Sequence, residues 1–320
     1  MRFNRIIFLF FVTLTVTLNS FGQGRQLKKA DAAFEQFEFA RAMDYYKRAY
    51  SKSSDKIQKI GMSFRMAECA RKIGNYRQAE SYYKRTIKMR YDDPIAIYYL
   101  GMMQRNIASN KTAEKAVSKY KEAIKSFQQY QEKVPEDLRA QEAIVACELA
   151  IDWTENPSRY AVSNMKKINS KFDDRMPCFG DKKQTSLYFT TARKGVNGRK
   201  LSAQTGQYFT DIWVTEIEKQ KKKKKGKKSK PRWKEPLPYG DYKGVDDPIS
   251  TKFDEGAVTF DDKFKVMYFN RSIMKKRESH SPRIYQFEQK GDDFQGVYAF
   301  RHWRAFVRLL LGQFVRELML

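Results

Sequence analysis

Histidine is almost missing from this chain: His280 and His302 are the two in 320 residues. Cysteine is scarce too. Cys69, Cys147 and Cys178 are odd in number, far apart, and form no Cys-x-x-Cys. Zinc sites draw on clustered His and Cys, so no metal site is expected, and no cofactor. Cys69 and Cys147 lie beside alanines in helical patterns, which reads as buried thiols. Catalytic signatures are also missing. There is no Gly-x-Ser-x-Gly elbow, no His-Glu-x-x-His, no phosphate loop and no Gly-x-Gly-x-x-Gly. An enzyme is therefore not expected. Acidic residues are in short supply, 37 against 63 Lys and Arg, for a net charge of +26. The 41% apolar and 31% charged content is that of a folded, soluble chain.

Long apolar runs are limited to the start. Arg2 and Arg5 precede an uncharged stretch from Ile6 to Leu18, followed by Ser20-Phe21-Gly22. That run is too short to span a bilayer. With small residues at the cleavage positions it reads as a secretory signal peptide, residues 1–22. No Cys follows the cut, so no lipid anchor is indicated.

From Leu27 to Trp153 the apolar spacing is helical. One frame recurs three times: Ala42, Tyr46, Ala49; then Ala79, Tyr83, Thr86; then Ala116, Tyr120, Ala123. Each is small, aromatic, small at i, i+4, i+7. The preceding segments carry Ala30, Ala67 and Gly101 at matching depth. A period of about 34 residues with this frame resembles the tetratricopeptide repeat. The expected domain runs over residues 25–157 and stacks helix pairs into a solenoid. Its groove, lined by the first helix of each pair, would hold a protein partner through Glu68, Arg71, Lys72, Arg105 and Asn106. The plainer reading of those five is a solvated polar face.

After Pro157 the period changes to that of strands. "INSKFDDRMPCF" (168–179) nearly recurs as "ISTKFDEGAVTF" (249–260). Matched strands follow each copy: "TSLYFTTAR" and "KVMYFNR", then "DIWVTEIE" and "RIYQFEQ", then "RWKEPLP" and "DDFQGVYAF". Each unit reads as a four-stranded meander. The repeated phrase would be the junction, with Ile168/Ile249 and Phe172/Phe253 plugging the gap between sheets. Asp173/Asp254 and Asp174/Glu255 would accept backbone N–H bonds as the chain turns inward. Arg159 to Asn164 would add a ring-closing strand.

"DEGAVTFDDKFKVMYFNR", "DIWVTEIE" and W-K-E-P resemble TolB-type, WD40-like propeller repeats. The order of signal peptide, tetratricopeptide repeats and such blades resembles the OmpA-family envelope proteins of the type IX secretion and gliding machinery. The likeness covers residues 1 to about 298. It implies an α-then-β multidomain fold: an α-solenoid, then over 158–298 an incomplete β-propeller of about two four-stranded blades. It implies a periplasmic, outer-membrane-associated place and protein partners in an envelope complex. No third blade and no OmpA-like domain follows, so the family's peptidoglycan-binding role is not carried over. Residues 299–320, "RHWRAFVRLLLGQFVRELML" from Arg301 on, read either as the product of truncation near Val297 or as a basic amphipathic helix. The missing blades favour truncation.

Between the third and fourth strands of the first unit, residues 219–234 are basic and free of acids. Lys221, Lys222, Lys223, Lys224, Lys225, Lys227 and Lys228 are candidates for contact with a polyanion such as lipopolysaccharide. The alternative is a solvated, self-repelling loop. Aromatics are absent from the lysine run, and an exported protein is not expected to meet nucleic acid. The leading expectation is a non-catalytic exported scaffold; the rival is a polyanion-binding envelope protein.

Overall fold

The computed structural model describes residues 24–160, 162–194, 201–218, 231–239, 249–251 and 253–272, with the pieces 274–275, 278–279, 282–290, 293–294 and 298–299. The signal-peptide segment, the lysine run 221–228 and the tail from 300 on lie outside these residues. The chain forms two compact units. One holds residues 1–162 with 203–206; the other holds 163–202 and 207–320.

The first unit is helical. Helix α1 spans residues 24–35, α2 Phe39–Lys52, α3 Lys56–Lys72, α4 Tyr76–Lys88, α5 Ile95–Ala108, α6 Ala113–Gln131 and α7 Leu138–Glu155. Helix starts are set by short polar caps. Asp55 accepts from the amides of Ile57 and Gln58, Asn75 from Gln78, and Asp137 from Arg139. Gly74, with φ of +77°, closes α3, and the Asn75 amide reaches back to the Ala70 carbonyl at 2.9 Å. This is a helix-ending turn that glycine makes without strain.

Successive helices pack in pairs, α1/α2, α3/α4 and α5/α6, and α7 closes against α6. The small–aromatic–small frame is the reason. Ala42, Tyr46, Ala49, Ala79, Tyr83, Thr86, Ala116, Tyr120 and Ala123 are all buried, as are Ala30, Ala67 and Gly101. At Gly101 an added Cβ would lie 2.7 Å from the Phe127 ring, so the missing side chain is what lets α6 approach α5. Cys69 and Cys147 are fully buried free thiols. Burial pushes Cys69 up to about 12 and Cys147 up to about 11, which keeps both protonated and inert.

The second unit is antiparallel sheet. Strands β1 (Asp174–Phe179), β2 (Ser186–Thr191), β3 (Asp211–Glu216) and β4 (Leu237–Pro238) form one meander in that order. The second sheet orders β5 (Asp254–Phe260), β6 (Val266–Ser272), β9 (Arg283–Lys290) and β10 (Asp293–Phe294), with β11 (Tyr298–Ala299) also on β9. Met274–Lys275 (β7) and Glu278–Ser279 (β8) pair as a hairpin between β6 and β9. Arg159 to Asn164 was expected as a further strand. Its described residues form none.

The two sheets share construction details that go beyond the repeated phrase. β1 and β5 each carry a bulge, with Met176 (φ 54°) and Ala257 (φ 50°) in the left-handed region at equivalent places. The hairpins that follow are each tied by one aspartate. Asp181 accepts from the amides of Lys183, Thr185 and Ser186; Asp261 accepts from those of Lys265 and Val266. Burial opposes charge on Asp181, yet these amides and the Thr185 and Ser186 hydroxyls hold its carboxyl down to about 2.

The junction phrase is also used twice. In the first copy the Ser170 amide donates to Asp174, and Arg193 Nη2 donates both to Asp174 and to the Ile168 carbonyl, each at 2.7 Å. In the second the Thr251 amide and hydroxyl donate to Glu255. Arg271 donates to Glu255 at 2.9 Å and to the Ile249 carbonyl at 3.1 Å. Ile168 and Ile249 are buried at 4% and 1% exposure, and Phe172 and Phe253 are half-buried. The sheets then meet face to face. Cys178 and Ile212 of the first pack with Val258, Phe260, Met267 and Phe269 of the second. Gly256 permits this approach, since a Cβ there would lie 2.8 Å from the Thr190 side chain. The Thr190 hydroxyl in turn accepts the Ala257 amide at 3.0 Å.

Candidate partner-binding surface

The first helices α1, α3, α5 and α7 place arginines over aromatic rings from one pair to the next. The Arg65 guanidinium lies 4.7 Å from the Phe34 ring, Arg71 lies 4.2 Å from Tyr99, and Arg139 lies 5.1 Å from Tyr98. Tyr98 packs on Tyr99, Phe127 and Tyr130. Such contacts contribute about 0.5–1 kcal/mol each where exposed. They also hold guanidinium groups at fixed positions beside rings that a peptide could pack against.

The five residues singled out from the sequence occupy different settings. Glu68 is buried, at 8% exposure. Its carboxylate accepts the Tyr83 hydroxyl and two bonds from Arg71, at 3.0 and 2.5 Å. Burial opposes charge on Arg71, but the Glu68 contacts outweigh it and raise its pKa further. Burial first, then the Glu68 charge and hydrogen bond, lift the Tyr83 phenol above its ordinary range. Glu68 thus anchors Arg71 from inside the helix pair. Arg71 is half-buried on Tyr99, Lys72 is exposed, and Arg105 and Asn106 are half-buried on the next first helix. The Arg105 charge is felt by Tyr98, Tyr120 and Cys147, so it sits where α5, α6 and α7 converge. The Asn106 carbonyl receives the Ser109 hydroxyl and the Asn110 side chain.

Sequence reasoning passed over Arg65, Arg139, Phe34, Tyr98 and Tyr99. The adjacent tyrosines in "IAIYYLGMM" were the available signal, since only one of two consecutive helical residues can face the pair's own core. It also passed over a contact that recurs between pairs. Tyr46 donates to Asp31 at 2.6 Å, as Tyr83 donates to Glu68.

No group of three or more His, Cys, Asp or Glu suited to a metal occurs among the described residues. The junction carboxylates Asp174 and Glu255 are engaged by arginine and by Ser170 or Thr251. Burial pushes Glu255 up to about 8, against the pull of Thr251 and Arg271. No helix among the described residues is long and apolar enough to cross a membrane.

A family model, tetratricopeptide repeat, matches residues 64–114. The match runs from the middle of α3 through α4 and α5 to the start of α6. The chain therefore carries tetratricopeptide-repeat sequence, a type that serves as a protein-interaction scaffold. No curated protein matches the chain. Among solved structures, it is similar to the C-terminal TPR-containing domain of an FK506-binding protein from Plasmodium falciparum. That match has 16% identity and a TM-score of 0.34, covering 42% of this chain and 91% of that one. It is also similar to the Sgt2 TPR domain from Aspergillus fumigatus, at 14% identity and a TM-score of 0.32, covering 47% and 92%.

Proposed function

We propose that this protein is a non-catalytic, exported scaffold: a periplasmic, outer-membrane-associated component of a secretion or motility complex. The repeats grip a protein partner along the face of α3 and α5, with Lys72, Arg105 and Asn106 in contact and Arg71 fixed by Glu68. The observation that carries this reading is the ladder of guanidinium groups on aromatic rings across successive first helices, of which Arg65, Arg71, Tyr98 and Tyr99 lie in the segment matched by the tetratricopeptide-repeat model. The two sheets are propeller blades of the TolB type that offer a second docking surface. Their duplicated junction, bulge and aspartate-tied hairpin support that assignment.

The test is site-specific photo-crosslinking in the native host from positions 72 and 106. A discrete envelope-protein adduct that disappears with Arg71→Glu/Arg105→Glu, and survives deletion of residues 219–230, supports the scaffold. Loss of the adduct on that deletion, together with steep salt sensitivity, would transfer the function to polyanion binding through Lys221–Lys228.

A further inference from the structure

Helix α7 is apolar on two opposite sides. Ala140, Ala143, Ile144 and Cys147 are buried against α6. On the other side Leu138, Val145, Leu149 and Trp153 form a stripe at helical spacing, 72%, 43%, 46% and 68% exposed. A helix with apolar stripes on two opposite sides has two faces to cover. The last helix of a repeat stack ordinarily turns a polar face outward to keep the stack soluble, whereas α7 sets four large apolar side chains there among its acids. In the three preceding pairs the first helix is covered by its own second helix. By position α7 is the first helix of a fourth pair, and no described residue supplies its second. What fits this stripe is therefore a helix. From Leu138 to Trp153 the stripe is about 22 Å long, or about four helical turns.

Charge says which kind of helix. In a chain of net charge +26, α7 is locally inverted. Glu142, Glu148, Asp152 and Glu155 are exposed along it and Arg139 is its one basic residue. Glu142 lies on the stripe itself, and Glu148 and Asp152 flank it. A second copy of α7 would set these acids against one another. A helix with Lys or Arg beside its apolar face would pair with them while burying the stripe.

We propose that the exposed face of α7 is a docking site for a basic amphipathic helix of another protein, which completes the fourth helix pair. This site is separate from the α3/α5 face and does not depend on it.

The probe is an 18-residue helical peptide of leucine and lysine at i, i+3, i+4 spacing, labelled for fluorescence anisotropy against the full chain. Binding is expected despite the overall positive charge. It should weaken about tenfold or more in Leu149→Glu/Trp153→Glu, and by a comparable factor in the charge reversal Glu148→Lys/Asp152→Lys. All four side chains are exposed, so the fold should persist, and circular dichroism checks that. Trp153→Ala serves as a milder second variant. Lys72→Ala/Asn106→Ala should leave the peptide affinity unchanged, which separates this site from the proposed function. The proposal is overturned by absence of binding, by binding indifferent to the stripe variants, or by binding indifferent to the charge reversal. It is also overturned if sedimentation shows a dimer that Leu149→Glu dissociates, since a second copy would then be the occupant.

Discussion

The phenol of Tyr46 donates to the Asp31 carboxylate at 2.6 Å across the first helix pair, and Tyr83 makes the same contact with Glu68 across the second. The two settings differ: Asp31 is exposed, whereas Glu68 is buried and also holds Arg71. Water can replace the lost donor at Asp31 but not at Glu68. Tyr83→Phe should cost about 1–3 kcal/mol of stability and Tyr46→Phe well under that. Urea unfolding of the two variants measures the difference, and equal losses would refute the account.

Gly101 and Gly256 are both places where a backbone must come close to a side chain. Alanine at either would meet Phe127 or Thr190 inside 3.0 Å. Each substitution should cost about 1–3 kcal/mol by overpacking. At Gly256 the clash is with both branches of Thr190, so Thr190→Ser should recover part of the loss by removing the methyl while keeping the hydroxyl that accepts the Ala257 amide. Thermal melts of the single and double variants test the coupling.

Arg193 and Arg271 each hold a buried isoleucine's carbonyl and a carboxylate at once. Lysine keeps the charge but cannot reach both acceptors with a planar fork. Arg271→Lys should be the more damaging of the two, because its pair is the more buried: 5% and 0% side-chain exposure, against 14% and 10%. Hydrogen exchange at β5 and β6 would show the loosening locally, with the β2–β3 amides unchanged.

Burial raises the Glu255 carboxyl from 4.5 to about 8. An acid with a raised folded-state pKa favours the fold when protonated. Its contribution is complete below pH 4.5 and is lost as pH climbs through 8. Urea midpoints for the sheet unit should therefore fall between pH 5 and pH 9. Glu255→Gln, which keeps an acceptor for Arg271 but cannot ionise, should flatten that fall. A midpoint that rises over the same range in the unaltered chain would contradict the sign.

Much of the helical unit was legible because its core is written locally. The frame Ala79, Tyr83, Thr86 sits on one helix face by spacing alone, and the face turned out to be the buried one. The role of Glu68 was not legible. Periodicity placed it on a polar face, but its partner Tyr83 lies across a turn on another helix. The repeated phrase announced two similar sheets and the acceptor role of Asp174 and Glu255. It could not announce the arginines. Arg193 lies two residues beyond the end of β2, whereas Arg271 lies within β6, so the two copies fill one space from different points in the chain. A comparison of the copies in register therefore sets Arg271 beside Thr191 and misses the shared role. The α7 stripe was in plain view as a closing helix, but a sequence cannot say which of two apolar sides remains uncovered.

The seam between the sheets is centred on two threonines. Thr190 and Thr210 of the earlier copy receive the later one: the Thr210 amide donates to Asp254, its carbonyl takes the Glu255 amide, and the Thr190 hydroxyl takes that of Ala257. Strands β1 and β2 complete their ladder with each other and with β3, whereas β5 leans on its predecessor as well as on β6. An injury at Thr190 or Thr210 should loosen the hold on β5, and one at Met267 or Phe269 should reach back to Cys178 and Ile212, which share their cluster.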